Sequence, residues 1–284
     1  MCVIWGIPYL LIRVSVEEIS PAMLVLARTG IAAALLLPVA AFRRELRPLL
    51  PHWLPLLAFA AIEIALPWVL LGAAEQHVSS SLTGLLIAAV PLVGVLIALA
   101  TGTGERLGLQ SAAGLLLGLV GVAAIVGVNV HGTKISSLVE IGLVAVGYAV
   151  GPFILQHRLS DLPALGVIAV ALGVTALAYV PIAAFSLPAQ LPSAKVVGSV
   201  LTLAVVCTAV AFLLVFALIA EIGAVRATVI TYVNPAVAAA LGVGVLGERF
   251  TAGMGVGFAL VLAGSVLATR RGRDVPATST PVWE

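Results

Sequence analysis

Hydrophobic residues run along this chain in long blocks with little internal alternation, and a short polar cluster closes each block. The blocks fall at about 1–14, 22–42, 53–73, 79–100, 109–128, 138–156, 163–185, 196–219, 225–246 and 252–269. Most are close to the roughly 20 residues a helix needs to cross a bilayer core. The punctuation is brief, as in Glu75-Gln76-His77, Gly104-Glu105-Arg106 and Gly247-Glu248-Arg249. Lipid offers the backbone no hydrogen-bond partner, so only helices or closed barrels span it. Unbroken apolar runs lack the two-residue alternation of a barrel strand. The pattern predicts an all-α integral membrane protein of ten transmembrane helices. The first block is the exception, with about a dozen apolar residues before Arg13. It has neither a preceding basic region nor a small-residue cleavage site, so it reads as a shortened first helix rather than a signal peptide.

Composition strengthens this reading. Of 284 residues, 62% are hydrophobic and 9% charged, whereas a soluble domain carries about a quarter charged residues. A water-soluble globule is therefore excluded. The net charge of +2 matters less than its distribution. With ten spans, Arg43, Arg44, Arg47, Arg106, Arg158, Arg226, Arg270, Arg271 and Arg273 fall on one side, against Lys134, Lys195 and Arg249 on the other. The positive-inside rule then puts both termini in the cytoplasm of a multi-pass cell-membrane protein. The stretch 270–284, basic and then rich in Pro, Ser and Thr, reads as a disordered cytoplasmic tail.

The chain also divides into similar halves. Pro91 followed by Gly104-Glu105-Arg106 is answered by Pro235 followed by Gly247-Glu248-Arg249, an offset of about 143 residues. Each glutamate is followed nine and sixteen residues later by glycine: Gly114 and Gly121, then Gly257 and Gly264. Trp5, Pro21 and Pro38 find counterparts in Tyr148, Pro163 and Pro181. The halves are a first five-helix repeat, 1–130, and a second, 138–269. Five is odd, so the second half enters the membrane upside down, giving two inverted repeats. Such repeats let one fold open to either side, the requirement of alternating access.

These features resemble the drug/metabolite transporter superfamily, EamA type: Trp5-Gly6 with Arg13, Pro21 and Arg28, and the twice-repeated path from proline to Gly-Glu-Arg. The resemblance covers nearly all of residues 1–270. It implies ten helices in two inverted five-helix repeats around a central cavity. It also implies secondary transport, often export, of metabolites, amino acids or drugs. Within this pattern the chain departs twice, in its short first helix and in lacking a second-half arginine to match Arg28.

Several residues are candidates for the pathway. Arg28 lies one to two turns into the second span, where a cation costs about 2.5–3.5 kcal/mol at mid-helix. It could meet an anionic substrate group or serve structure. Glu63, deep in the third span, could couple protons, contact an amine or pair with Arg28. Candidate cavity aromatics are found among Trp5, Tyr9, Trp68, Tyr148, Phe153, Tyr179, Phe212, Phe216 and Tyr232, with Trp5, Tyr148 and Tyr232 foremost; Trp53 and Trp68 read equally as interfacial anchors. Pro67, Pro91 and Pro235 each remove a helix hydrogen bond and predict bends. Glu105 and Glu248 are expected to cap the fifth and tenth helices, and the Gly114–Gly118 and Gly253–Gly257 steps suit close packing.

Other chemistry is not indicated. Cys2 and Cys207 read as inert thiols, and His52, His77, His131 and His157 have no metal spacing. The glycines at 242–247 lie at the end of a membrane helix with no strand before them, so no dinucleotide site is implied. No phosphate-binding loop, protease motif or nucleic-acid patch is legible, and no cofactor is expected. The partners foreseen are a small-molecule substrate and the lipid bilayer, with proton coupling as one mode and a monomer or homodimer as the unit. The alternatives are a non-transporting sensor or scaffold and, behind it, an intramembrane enzyme.

Overall fold

The computed structural model describes residues 1–102, 108–129, 134–188, 190–222 and 230–269. Among them every regular element is helical. In order they are α1 (Cys2–Ser15), α2 (Pro21–Phe42), α3 (Arg47–Glu75), α4 (Ser80–Ile87), α5 (Val90–Ala100), α6 (Leu109–Asn129), α7 (Ile135–Arg158), α8 (Ala164–Ala184), α9 (Ala194–Glu221), α10 (Ile230–Leu246) and α11 (Ala252–Thr269).

Seven of these are long and apolar enough to cross a membrane, or eight if α4 and α5 form one span bent by 41°. The chain is thus a multi-pass membrane protein. Ten spans were expected, the first of them shortened; α1 is short, and α10, the expected ninth, is apolar but short as well. The bend between α4 and α5 falls at Ala88 and Ala89, and Pro91 is the second residue of α5. Proline is tolerated there because the first turn of a helix has no use for its missing N–H. Pro235 lies inside α10.

Local chemistry sets the helix starts. Ser20, Ser79 and Ser193 each precede a helix with an extended backbone and accept the N–H three residues on, from Met23, Leu82 and Val196. Such caps satisfy a donor that the helix leaves free. Two helices change pitch in mid-course. α3 carries a π-helical segment at Ala60–Ala65, and α9 carries one at Val205–Val210. A π segment adds one residue to a turn and is frequent at functional sites. Glu63 and Thr208 occupy the same place, the fourth residue, in the two segments.

The helices pack in partnerships that cross from one half to the other. α2 lies along α8, α6 along α11, α1 against α10 and α9, and α3 against α7. In the α6–α11 pair, glycine removes the side chains that would hold the backbones apart. A Cβ on Gly114 would meet the backbone nitrogen of Ala268 at 2.5 Å, and one on Gly121 would meet that of Val261 at 2.7 Å. A Cβ on Gly257 would lie 3.1 Å from the nitrogen of Ile125. Position rises along α6 as it falls along α11, so the two run antiparallel.

α2 and α8 are antiparallel too. At one end Ser20 Oγ and Ser186 Oγ are 2.8 Å apart; at the other the Gly166 N–H donates to Glu45 Oε2 at 3.0 Å. These contacts exchange under the 143-residue offset. Gly114 against Ala268 becomes Gly257 against Ile125, and the Ser20–Ser186 end contact becomes, within three residues, Glu45–Gly166.

Candidate functional site

Arg28 is 7% exposed and reaches from α2 into the interior. Its guanidinium lies over the Trp68 ring, 3.6 Å from the centroid, and its Nε–H donates to Thr208 Oγ1 at 2.9 Å. Thr208 in turn donates to the Leu203 carbonyl at 2.8 Å, five residues back, which suits the wide π turn. The cation thus rests on an aromatic face, a contact that strengthens as water is removed. Its terminal N–H groups have no hydrogen-bond acceptor among the described residues. No carboxylate among those residues forms a salt bridge with it; the ion pair present, Lys195–Glu17, is on the surface at 3.8 Å.

Tyr148 of α7 and Tyr9 of α1 complete the surroundings of Arg28, both within electrostatic reach of it. Glu63 comes within reach of Tyr148 but does not pair with Arg28 as one sequence reading had it. Its carboxyl packs on Gly151 of α7, where only hydrogen leaves room, and Oε2 has no hydrogen-bond partner. Gly147 one turn earlier lets α7 meet the Ile62 carbonyl and the Pro67 ring. The π segment just before Pro67 carries the Leu66 N–H back to the Ala61 carbonyl, five residues away.

Other candidates are distributed differently. Trp5 sits edge-on to Phe212, their ring centroids 6.1 Å apart, and Phe212 stacks on Phe216. Tyr232 lines an open apolar recess of about 540 Å³ with Leu262, Ala263, Val266 and Leu267. Of the two readings of Trp68, its burial beneath Arg28 excludes the interfacial anchor, whereas Trp53 is exposed. Cys2 and Cys207 are free. No group of three or more metal-ligating side chains occurs among the described residues.

A second polar cluster forms where the ends of α1, α3, α4 and α10 converge. Contrary to the expectation from sequence, Glu248 does not cap the helix after it. Its carboxylate accepts from the backbone N–H and the hydroxyl of both Ser80 and Ser81, at 2.5–3.0 Å, and so caps the start of α4 in the other half of the chain. The unpaired N–H groups and the dipole of a helix start favour an anion there. Gly242 makes room for this arrangement, since a Cβ there would meet Ser80 Oγ at 2.8 Å. Glu105, its counterpart, lies outside the described residues.

The same cluster holds two residues the sequence did not single out for function. Arg13 donates from Nη1 to the backbone carbonyl of Glu75. Glu75 itself is 0% exposed, and neither carboxyl oxygen has a hydrogen-bond partner. In the sequence it opens the polar run Glu75-Gln76-His77 and looks like part of a connection. Gln76 and His77 are indeed exposed; only assembly of the four helix ends encloses Glu75. The one sequence signal was Arg13, a cation left over within an apolar block.

Comparison with known proteins bears on what such an interior does. The EamA-like transporter family matches the chain twice in tandem, over residues 1–127 and 138–270. No match is found among curated proteins. A solved crystal structure of a protein 22% identical to the chain superposes with a TM-score of 0.67, over 94% of this chain and 93% of that one. At that identity the likeness extends to the fold.

Proposed function

The chain belongs to the EamA-like transporter family, and on that premise we propose that it is a secondary transporter that exports a small metabolite, amino acid or drug across the cell membrane by alternating access. The observation that carries the reading is the tandem family match, one copy in each half. Ten crossings in two inverted five-helix repeats, with both termini cytoplasmic, are part of the proposal. The exchanging contacts support the inversion. Where α2 and α8, or α6 and α11, are counterparts packed antiparallel, the two-fold axis relating them lies across the helices, in the membrane plane. A fold with such an axis can present its centre to either side.

The substrate site in this reading is the space around Arg28, Trp68, Thr208 and Tyr148, with Glu63 and Trp5 at its margin. A buried guanidinium with one N–H on a hydroxyl and its face on an indole keeps its terminal donors for a ligand. Carboxylate and phosphate oxygens fit those donors in bidentate fashion. An anionic group on the substrate is therefore favoured. Tyr232 is assigned to the pathway only at the apolar recess, as a lining ring.

Vesicles reconstituted with the purified chain, preloaded with carboxylated metabolites, amino acids or cationic drugs, test this. Downhill flux of a carboxylate-bearing compound, lost in Arg28→Ala and reduced in Glu63→Gln, is the expected result. Binding without flux under any imposed gradient would instead describe a sensor.

A further inference from the structure

We propose that Glu75 is a proton-binding site whose occupancy holds shut the end of the molecule where α1, α3, α4 and α10 meet. The inference rests on the transporter reading only for its purpose; the site stands on its own geometry. Glu75 is fully buried with both carboxyl oxygens unpartnered, and a buried carboxylate without a partner is far costlier than the neutral acid. Arg13, the cation beside it, spends its Nη1 donor on the Glu75 backbone carbonyl. Glu248, in the same cluster, is itself fixed across the two halves by four hydrogen bonds to Ser80 and Ser81. Glu75 and Glu248 lie within electrostatic reach of one another.

With the proton bound, Glu248 alone carries charge at the start of α4, and the clamp between the halves is stable. When Glu75 loses its proton, two carboxylates share one enclosed site, an arrangement that disfavours one of them staying there. Movement of Glu248 away from α4 relieves the repulsion and lets water reach Glu75. The proton moves between the Glu75 carboxyl and water from that side, so opening and proton release are linked.

Groups that face Glu75 from the packed elements set the sign. α1 brings Arg13 and Tyr9, and the end of α10 brings Glu248. α7 brings Tyr148; elsewhere on the same helix Glu140 has an unpartnered buried oxygen of its own. From α2, Arg28 is engaged with Thr208 and Trp68. Glu17 and Glu18 turn outward to Lys195 and Ser193. His77, two residues on, is exposed.

The test needs no substrate. In a Cys2→Ser, Cys207→Ala background, spin labels are placed at Gln76→Cys and Arg249→Cys, both exposed positions flanking the cluster. Their separation is measured in liposomes from about pH 5 to about pH 9, the interval in which buried carboxyls titrate. The expected result is a short distance in acid giving way to a longer one in alkali. Glu75→Gln should stay short throughout, while Glu75→Asp and His77→Gln should keep the response.

Dicyclohexylcarbodiimide provides a second measurement on the unsubstituted chain, and so covers a Glu75→Gln variant that fails to fold. The protonated acid adds across a C=N bond, its proton passing to nitrogen and its oxygen to carbon. Rearrangement of that adduct leaves a stable N-acylurea. Adduct at Glu75 that declines as pH rises supports the site. A distance unchanged by pH, a pH response intact in Glu75→Gln, or an absence of Glu75 adduct in acid would each overturn it. These outcomes are separate from flux, so the transporter reading can fail while the proton site stands, or the reverse.

Discussion

Replacing Glu248 by alanine should open the contact between the two halves at the start of α4. The wild-type carboxylate takes four hydrogen bonds there, from Ser80 N at 2.7 Å, Ser81 N at 2.8 Å and the two hydroxyls. The Ser81 hydroxyl already has a second acceptor in reach, the Ala239 carbonyl at 3.4 Å. The two backbone N–H groups have no such alternative. Leaving a buried donor unmet costs about 1–3 kcal/mol, so two give roughly 2–6 kcal/mol. Water entering the vacated space brings the figure toward the lower end, about 2 kcal/mol. Glu248→Gln keeps one amide oxygen for one of the two N–H groups and should fall about midway. Thermal or denaturant unfolding in detergent, followed by loss of helical signal or of monodisperse elution, measures this. A Glu248→Ala variant within about 0.5 kcal/mol of wild type, the scatter of neutral surface changes, would refute the reasoning.

Three further outcomes follow from particular contacts. Gly121→Val puts a Cβ 2.7 Å from both the Gly257 oxygen and the Val261 nitrogen; the α6–α11 backbones must part, and a loss of at least about 1–3 kcal/mol is expected by the same unfolding assay. Thr208→Val removes the acceptor of the Arg28 Nε–H, which should lower stability by about 1.5–3 kcal/mol, the worth of a hydrogen bond to a charged group, with Thr208→Ser restoring it. At the surface, the hydroxyl and N–H of Ser193 hold the Glu18 carboxyl below its usual pKa. A lowered folded-state pKa means the contribution is present above the ordinary carboxylate range and lost as pH falls through the folded value. The unfolding midpoint should therefore decline in acid, and Glu18→Gln should flatten that part of the pH profile.

Much of the architecture was legible because its causes are local or periodic. Apolar blocks closed by short polar clusters mark helices in lipid; the serine caps before α2, α4 and α9 emerged only with the structure. The 143-residue offset, read from prolines, glycines and two glutamates, also organises the contacts between α6 and α11. Arg28 stood out because a cation inside an apolar run demands a reason. Its pairing with Trp68 and Thr208 was not legible, since they are 40 and 180 residues away along the chain and meet it only through packing of α2 on α3 and α9. The π segments were invisible, because Ala60–Ala65 and Val205–Val210 share no composition that separates them from ordinary helix. Glu248 was expected to cap its own neighbour, the local choice; the fold gives it the start of α4 instead. Glu75 was hidden by exposed polar neighbours, burial there being a property of four helix ends brought together.

The claim on which the account depends is that the two halves cross the membrane in opposite senses. Phe42 and Phe185 end α2 and α8, stand 143 residues apart, and are 91% and 93% exposed. Single cysteines at these two positions, in a background without Cys2 and Cys207, can be challenged with a membrane-impermeant maleimide in vesicles of known orientation. The account predicts reaction at residue 42 only from the cytoplasmic side and at residue 185 only from the opposite side. Labelling of both from one side would contradict it.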